Sequence, residues 1–387
     1  MPQLTRDATP TLRRLARGFP VVAVTGPRQS GKTTLVRAAF PRKPYVSLED
    51  PDERAFALAD PRAFLDRFAR GALLDEVQRA PALFSYLQTR VDERRSAGQF
   101  VLTGSQQFGL MANITQSLAG RVGLLHLLPL SLAELRSNGL PGVSLSSALL
   151  RGHYPAIYSR RVAAQQWYAS YVSTYIERDV RQIAAINNLT LFSRFLKMCA
   201  ARCGQLLNLS ALANDCGISH VTARAWLTVL EASYIVHLLQ PYHVNFGKRL
   251  VKMPKLYFYD TGLASHLLDI RDQRQMETHP MRGGLFESLL VTEWLKHRFN
   301  RAQAANVFFW RDNTGNEIDL LIEHGSKLQP IEMKSGQTVN GDYFTPMRKW
   351  LEWAGSRARL PMVIYGGNRA MTREGIALCP WSQWLDK

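Results

Sequence analysis

A five-residue apolar run, Val21-Val22-Ala23-Val24-Thr25, passes directly into Gly26-Pro27-Arg28-Gln29-Ser30-Gly31-Lys32-Thr33-Thr34 and on into Leu35-Val36-Arg37-Ala38-Ala39. No other stretch limits the fold so tightly. The first run has the length and β-branched content of a buried strand, the last reads as a helix, and G-x-x-x-x-G-K-T joins them. The pattern is a phosphate cradle in an α/β domain with a parallel sheet. Gly26 and Gly31 let the backbone turn its N–H groups inward, and the following helix offers its positive end to the same anion. Lys32 is expected to reach the β- and γ-phosphates of a nucleotide and the Thr33 hydroxyl to ligate Mg²⁺, with Pro27, Arg28, Gln29, Ser30 and Thr34 completing the loop.

A second motif follows one β-α-β interval later. Ala72-Leu73-Leu74-Asp75-Glu76 is an apolar run that ends in two acids. A buried strand would deliver Asp75 to the Mg²⁺ shell, while Glu76 polarises the water that attacks the γ-phosphate. Residues 1–20 read as a basic amphipathic helix beside the nucleotide pocket. Further strands are expected at Tyr45–Glu49, Gln99–Gly104 and Leu124–Leu127, and Asp50 starts a helix with an acidic first turn.

Taken in order, GPRQSGKTTL, LLDEVQ, LTGSQ, SLAGRV and LPLSLAEL resemble the AAA+ superfamily ATPases of bacteria and archaea that carry a long C-terminal region of unknown function. The resemblance spans essentially the whole chain. It implies ATP and Mg²⁺ as cofactors and a nucleotide-dependent homo-oligomeric ring, such as a hexamer. It also implies a polar sensor after the strand beside Asp75, for which Ser105 or Gln106 is the candidate with Thr103 behind them. In such rings an arginine enters the neighbouring subunit's site to neutralise transition-state charge. Arg121 is the leading candidate and Arg178, within Glu177-Arg178-Asp179, its rival; the sequence does not choose between them.

A chain of 387 residues exceeds the size at which single cores stop growing, about 250 residues. Three domains are expected: an ATPase at 1–140, a helical lid and winged helix at 141–279, and a third domain at 280–387. The stripe Tyr168, Tyr171, Tyr175 reads as core. Ser210–Asp215 and His220–Leu227 read as two short helices, with Ser219 capping the second. Two strands then bracket a loop carrying Lys248, Arg249 and Lys252. His220, Thr222 and Arg224, with Lys248 and Arg249, are candidate DNA contacts. The alternative is that this unit only packs or oligomerises.

In the last third, Asn316–Ile322 and Leu328–Gly336 read as adjacent strands. Residues two apart in a strand share a face, so Glu332 and Lys334 point together. With Asp319 on the neighbouring strand, this E-x-K resembles the PD-(D/E)xK nuclease superfamily. The resemblance implies that Asp319 and Glu332 share Mg²⁺, that Lys334 polarises the attacking water, and that Glu287 adds a carboxylate from a helix. Trp310 and Arg311 either touch nucleic acid or complete the core.

Charge bears on the partner. Lys and Arg number 48 against 31 Asp and Glu, a net +17, which favours a polyanion such as nucleic acid. A basic surface without a partner, or an anionic membrane surface, is the alternative. No apolar run approaches the roughly 20 residues that span a bilayer, and the first residues lack a signal-peptide layout, so a cytoplasmic protein with no membrane partner is expected. Four scattered cysteines exclude a disulfide framework, and the nine histidines show no zinc spacing. The combined expectation is a DNA-binding, DNA-stimulated AAA+ ATPase acting on DNA, with branched forms such as Holliday junctions as a specific substrate. The alternative is a nucleotide-switched regulatory or defence ATPase, with or without metal-dependent DNA cleavage.

Overall fold

In the computed structural model, which describes residues 4–94, 96–104, 114, 116–140, 144–160, 162–176, 188–242 and 252–385, the first apolar run is strand β1 (Val21–Thr25), buried at every position. It sits in a sheet with β2 (Tyr45–Ser47), β3 (Leu73–Asp75), β4 (Phe100–Gly104) and β5 (Val122–His126), ordered β2-β3-β4-β1-β5 with every pair parallel. Such a sheet is covered on both faces, and the alternation along β1 does the covering. Val21 and Ala23 join Leu74, Phe100 and Leu102 on one side. Val22 and Val24 meet Leu12 of helix α1 (Thr9–Gly18) and Leu35 and Val36 of helix α2 (Lys32–Ala39) on the other. Strands β2 to β4 lie to one side of β1 and β5 to the other, so the connections diverge at the carboxyl end of β1 and leave a crevice there. The last strand starts at Val122, two residues before the expected Leu124, because Val122 pairs with Val21 at the foot of β1.

The middle of the chain holds α3 (Leu189–Ala200), α4 (Leu209–Cys216) and α5 (His220–Ala232). Each starts at a side-chain cap, from Asn188, Asn208 and Ser219. A two-stranded antiparallel ladder of β6 (Val236–Leu239) and β7 (Lys255–Phe258) follows. Tyr168 and Tyr171 are buried against Tyr154 and Trp167, so these two members of the stripe are core.

Helix α6 (Arg282–Phe299) carries apolar residues around most of its circumference and is accordingly interior, buried from Leu285 to Lys296 at every position except the half-buried Glu287. It ties the chain together. Ser288 Oγ accepts from Phe258 N at 3.0 Å and donates to Phe258 O at 2.7 Å, while Glu293 accepts from Leu132 N at 2.8 Å. Behind it lies a mixed sheet of β8 (Val307–Arg311), β9 (Glu317–His324), β10 (Lys327–Lys334), β11 (Met362–Tyr365), β12 (Met371–Arg373) and β13 (Ile376–Pro380). Its order is β12-β13-β11-β10-β9-β8, with β9 and β10 forming an antiparallel hairpin. Trp310 is buried in this core, and Arg311 pairs with Glu317 at 2.8 Å. Among the described residues, no helix is long and apolar enough to cross a membrane.

Candidate active site

The crevice at the end of β1 is lined by the phosphate loop. Gly26 has φ +148°, and a Cβ there would stand 2.1 Å from the Leu127 carbonyl oxygen, so only glycine fits. Gly31, at φ +94°, precedes α2 without a side-chain cap, which leaves the first N–H groups of that helix facing the loop. Lys32 is buried, and its Nζ donates to Gly26 O at 2.9 Å and Pro27 O at 2.8 Å. Burial pulls its pKa down to about 8, against the opposing pull of Glu76 and Asp75. Pro27 is buried, Arg28 half-buried, and Gln29 and Thr34 exposed. Ser30 Oγ is buried with no hydrogen-bond partner among the described residues, a donor inside the cradle that suits a phosphate oxygen. Beside the loop opens a cavity of about 1200 Å³, bordered by α1 at Thr9 and Arg13 and by Thr33 and Thr34, large enough for the rest of a nucleotide.

Asp75 is held from three sides at the end of β3. Thr33 Oγ1 donates to its Oδ2 at 2.9 Å, Tyr45 OH donates to the same oxygen at 2.8 Å, and Thr103 donates to Oδ1. Burial and this bond to Asp75 push Tyr45 up to about 12. Thr33 and Asp75 thus lie together, as a pair that would hold Mg²⁺ must. Glu76 follows at φ +54°, a backbone region that costs a glutamate energy, and accepts from Gln78 Nε2 at 2.5 Å.

Arg121 stands at the foot of β5. The register of β1 and β5, Val21 with Val122 and Thr25 with His126, puts it at the end of the sheet away from the phosphate loop. There it makes two bonds to Asp92, at 2.6 and 2.8 Å. It therefore lies at the opposite end of the β1–β5 pair from the phosphate loop of its own chain. Ser105, Gln106, Arg178, Lys248 and Arg249 lie outside the described residues. His220 and Arg224 are exposed one turn apart on α5, and Thr222 is half-buried with its hydroxyl 2.8 Å from the capping Ser219.

Two groups at this site escaped the sequence reading. Arg6 is buried and spans the loop: it donates to Ser30 O at 2.6 Å, Leu128 O at 2.7 Å and the fully buried Glu134 at 2.9 Å. Glu134 closes a capping box with Ser131, so the S-x-x-E in LPLSLAEL was the available signal. The second is a triad of Thr25, His126 and Tyr234, mutually 2.8–2.9 Å apart, which joins the residue before Gly26 to the middle of the chain. Nothing in the sequence marked Tyr234.

Where α6 meets the C-terminal sheet, the four positions expected to form a nuclease-like site also converge. Asp319 on β9 and Glu332 and Lys334 on β10 line a pocket of about 340 Å³, and Glu287 on α6 joins them through Lys255, whose Nζ it shares with Asp319. Lys334 Nζ lies 2.9 Å from Glu332 and 3.6 Å from Asp319. Met333 N donates to Asp319 at 2.9 Å, and Tyr257 OH donates to Glu287 at 2.8 Å. Burial works against the Asp319 charge, but Lys334 and Lys255 hold its pKa down to about 2. Burial and the charge of Asp319 push Glu332 well above the carboxylate range. Burial lifts Glu287 to about 7, against the pull of Lys255. The sequence reading missed Lys255 and Glu317, both in this cluster. Among the described residues, no three His, Cys, Asp or Glu side chains are placed to share a metal ion.

Comparison with known proteins adds three family models: an AAA domain over residues 18–136, and two domains of unknown function, DUF8612 over 143–274 and DUF4143 over 282–384. Uncharacterized proteins of Mycobacterium tuberculosis and Mycobacterium bovis are each 33% identical over 385 residues, covering 98% of this chain and 84% of their own. Among solved structures, the Walker-type ATPase PABY2304 of Pyrococcus abyssi is 13% identical at a TM-score of 0.45, covering 69% of this chain and 98% of its own. AMPPCP-bound DnaA from Aquifex aeolicus is 16% identical at 0.30, covering 58% and 85%. Overlaps that weak carry no weight for function.

Proposed function

Because the chain belongs to the family of these mycobacterial proteins and holds its phosphate loop within an AAA domain, we propose that it is an ATPase whose cycle acts on DNA. The observation that carries the ATPase is the pairing of Thr33 with Asp75 at 2.9 Å, directly beside a phosphate-loop lysine and one residue from Glu76. ATP and Mg²⁺, when bound, supply the scissile anhydride and a Lewis acid. The chain's own residues do the rest in this reading. Lys32 exchanges the Gly26 and Pro27 carbonyls for phosphate oxygens, Thr33 and Asp75 hold the metal, and Glu76 takes the proton of the attacking water. Arg121, remote from its own loop, serves a neighbour's site in an oligomeric ring.

The DNA reading rests on the net charge of +17 and on α4 and α5, a helix pair that leaves His220 and Arg224 exposed together, as a winged helix does. Turnover measured with single-stranded, duplex, forked and four-way DNA tests it. Stimulation by at least one form is expected, and a rate blind to all four overturns it. Mixing Arg121→Ala subunits with Glu76→Gln subunits tests the ring. Each variant alone is expected to be inactive, and the mixture to regain turnover at interfaces that pair a sound arginine with a sound glutamate.

A second reading concerns the C-terminal domain: a nuclease-like fold that binds or regulates rather than cuts. The observation that favours it is the lysine seated among its carboxylates.

A further inference from the structure

Lys255 opens β7, a strand of the middle region, yet its ammonium ends inside the acidic pocket of the C-terminal sheet. Its side chain is 3% exposed. Three carboxylates meet its Nζ: Glu317 in the closest contact, Glu287 at 3.4 Å and Asp319 at 3.5 Å. The remaining charges are also taken up by the chain, with Lys334 on Glu332 and Asp319 and Arg311 on Glu317. Four carboxylates therefore face three fixed cations.

A carboxylate set built for a divalent ion turns its oxygens to one common point and leaves that point open. Here Glu287, Glu317 and Asp319 instead close on an ammonium and, as they stand, are not placed to share an ion, so the expected Mg²⁺ does not fit the site. One acceptor is left over: Glu332 Oε1, on a side chain 2% exposed and bordering the pocket, has no partner among the described residues. The pocket thus retains an unused ligand oxygen beside a position filled from another part of the chain.

We propose that Lys255 is a tethered cation that occupies the divalent-metal position, clamps the middle region to the C-terminal domain and keeps the acidic site closed to metal while β7 stays docked. The clamp needs neither the ATPase nor the DNA reading. It makes metal entry and withdrawal of β7 a single event, because a buried carboxylate trio cannot stand without a counter-charge.

Mn²⁺ serves as the probe, titrated into the nucleotide-free full chain and followed by the free-ion electron paramagnetic resonance signal. The wild type is expected to show no Mn²⁺ binding that Asp319→Asn removes. Lys255→Met is expected to gain one such site, at least tenfold tighter, and its thermal midpoint, lowered without metal, to recover on adding Mn²⁺. An Asp319-dependent site of equal affinity in the wild type overturns the proposal, and that measurement stands even if Lys255→Met does not fold. A folded Lys255→Met, with nucleotide binding intact, that gains no site also overturns it. A gained Mn²⁺ site without DNA cleavage leaves the clamp standing and removes only the nuclease reading.

Discussion

Lys32 and Lys255 are both buried ammonium groups, held by opposite kinds of partner. Lys32 leans on two backbone carbonyls, which carry only partial charge, so burial prevails and its pKa falls to about 8. Lys255 is equally buried, but Tyr257 and the carboxylates around it overcome the cost of burial and hold its pKa well above the ordinary lysine value. The phosphate loop keeps an under-compensated charge for an incoming anion. The acidic pocket has spent its charges on itself. The same residue type therefore marks a site that awaits a ligand in one region and a site that is already filled in the other.

The largest effects should appear where charge is held in reserve. Lys32→Ala should weaken nucleotide binding by roughly 10²-fold, the worth of a charge-assisted hydrogen bond of about 1.5–3 kcal/mol, in a fluorescent-nucleotide titration. Glu76→Gln should bind nucleotide as the wild type does, yet lose about 10²–10⁴ in turnover. Equal turnover in Glu76→Gln would take the water-activating role away from Glu76, and equal affinity in Lys32→Ala would erase the contrast between the two lysines.

Next come the charges that, like Lys255, are spent within the fold. Arg6→Ala strips Glu134 of its ion-pair partner in a fully buried position and should cost about 3–5 kcal/mol. Arg6→Met combined with Glu134→Gln should recover part of that loss, since no uncompensated charge then remains. A fall in thermal midpoint for Arg6→Ala no larger than for removal of an exposed pair such as Arg348 with Glu374 would show that Glu134 does not depend on Arg6.

Arg6 and Lys255 also mark the limit of what the sequence disclosed. Local signals sufficed for β1 and its loop, for Asp75 at the end of β3 and for the cap at Ser219, because each depends on neighbours within a few residues. The E-x-K pair was legible from strand alternation, and Asp319 and Glu287 came with the resemblance that followed from it. What stayed hidden was set by distance along the chain. Arg6 answers to Glu134, 128 residues away, and Lys255 to Glu287, 32 residues away on another element. Tyr234 reaches Thr25 across 209 residues. No periodicity carries such a pairing, and each residue alone reads as a surface charge or a core aromatic.

The smallest effect probes the Lys32 charge directly. At pH 8 the ammonium is about half deprotonated in the nucleotide-free chain. A bound triphosphate supplies the full negative charge that Gly26 and Pro27 lack, so it must raise the pKa of Lys32. Binding then takes up a proton, by linkage, wherever the free chain has lost one. Calorimetric titration of a non-hydrolysable ATP analogue in buffers of different ionisation heat should therefore give an uptake near half a proton per site at pH 8. The uptake should shrink toward zero by pH 6.5, and affinity should decline as pH rises past 8. Mn²⁺ entering the acidic pocket of Lys255→Met should show no such uptake, because its carboxylates release protons on binding a cation. Uptake at pH 8 that persists unchanged in Lys32→Ala would assign the proton to another group and leave the two lysines without the difference drawn between them.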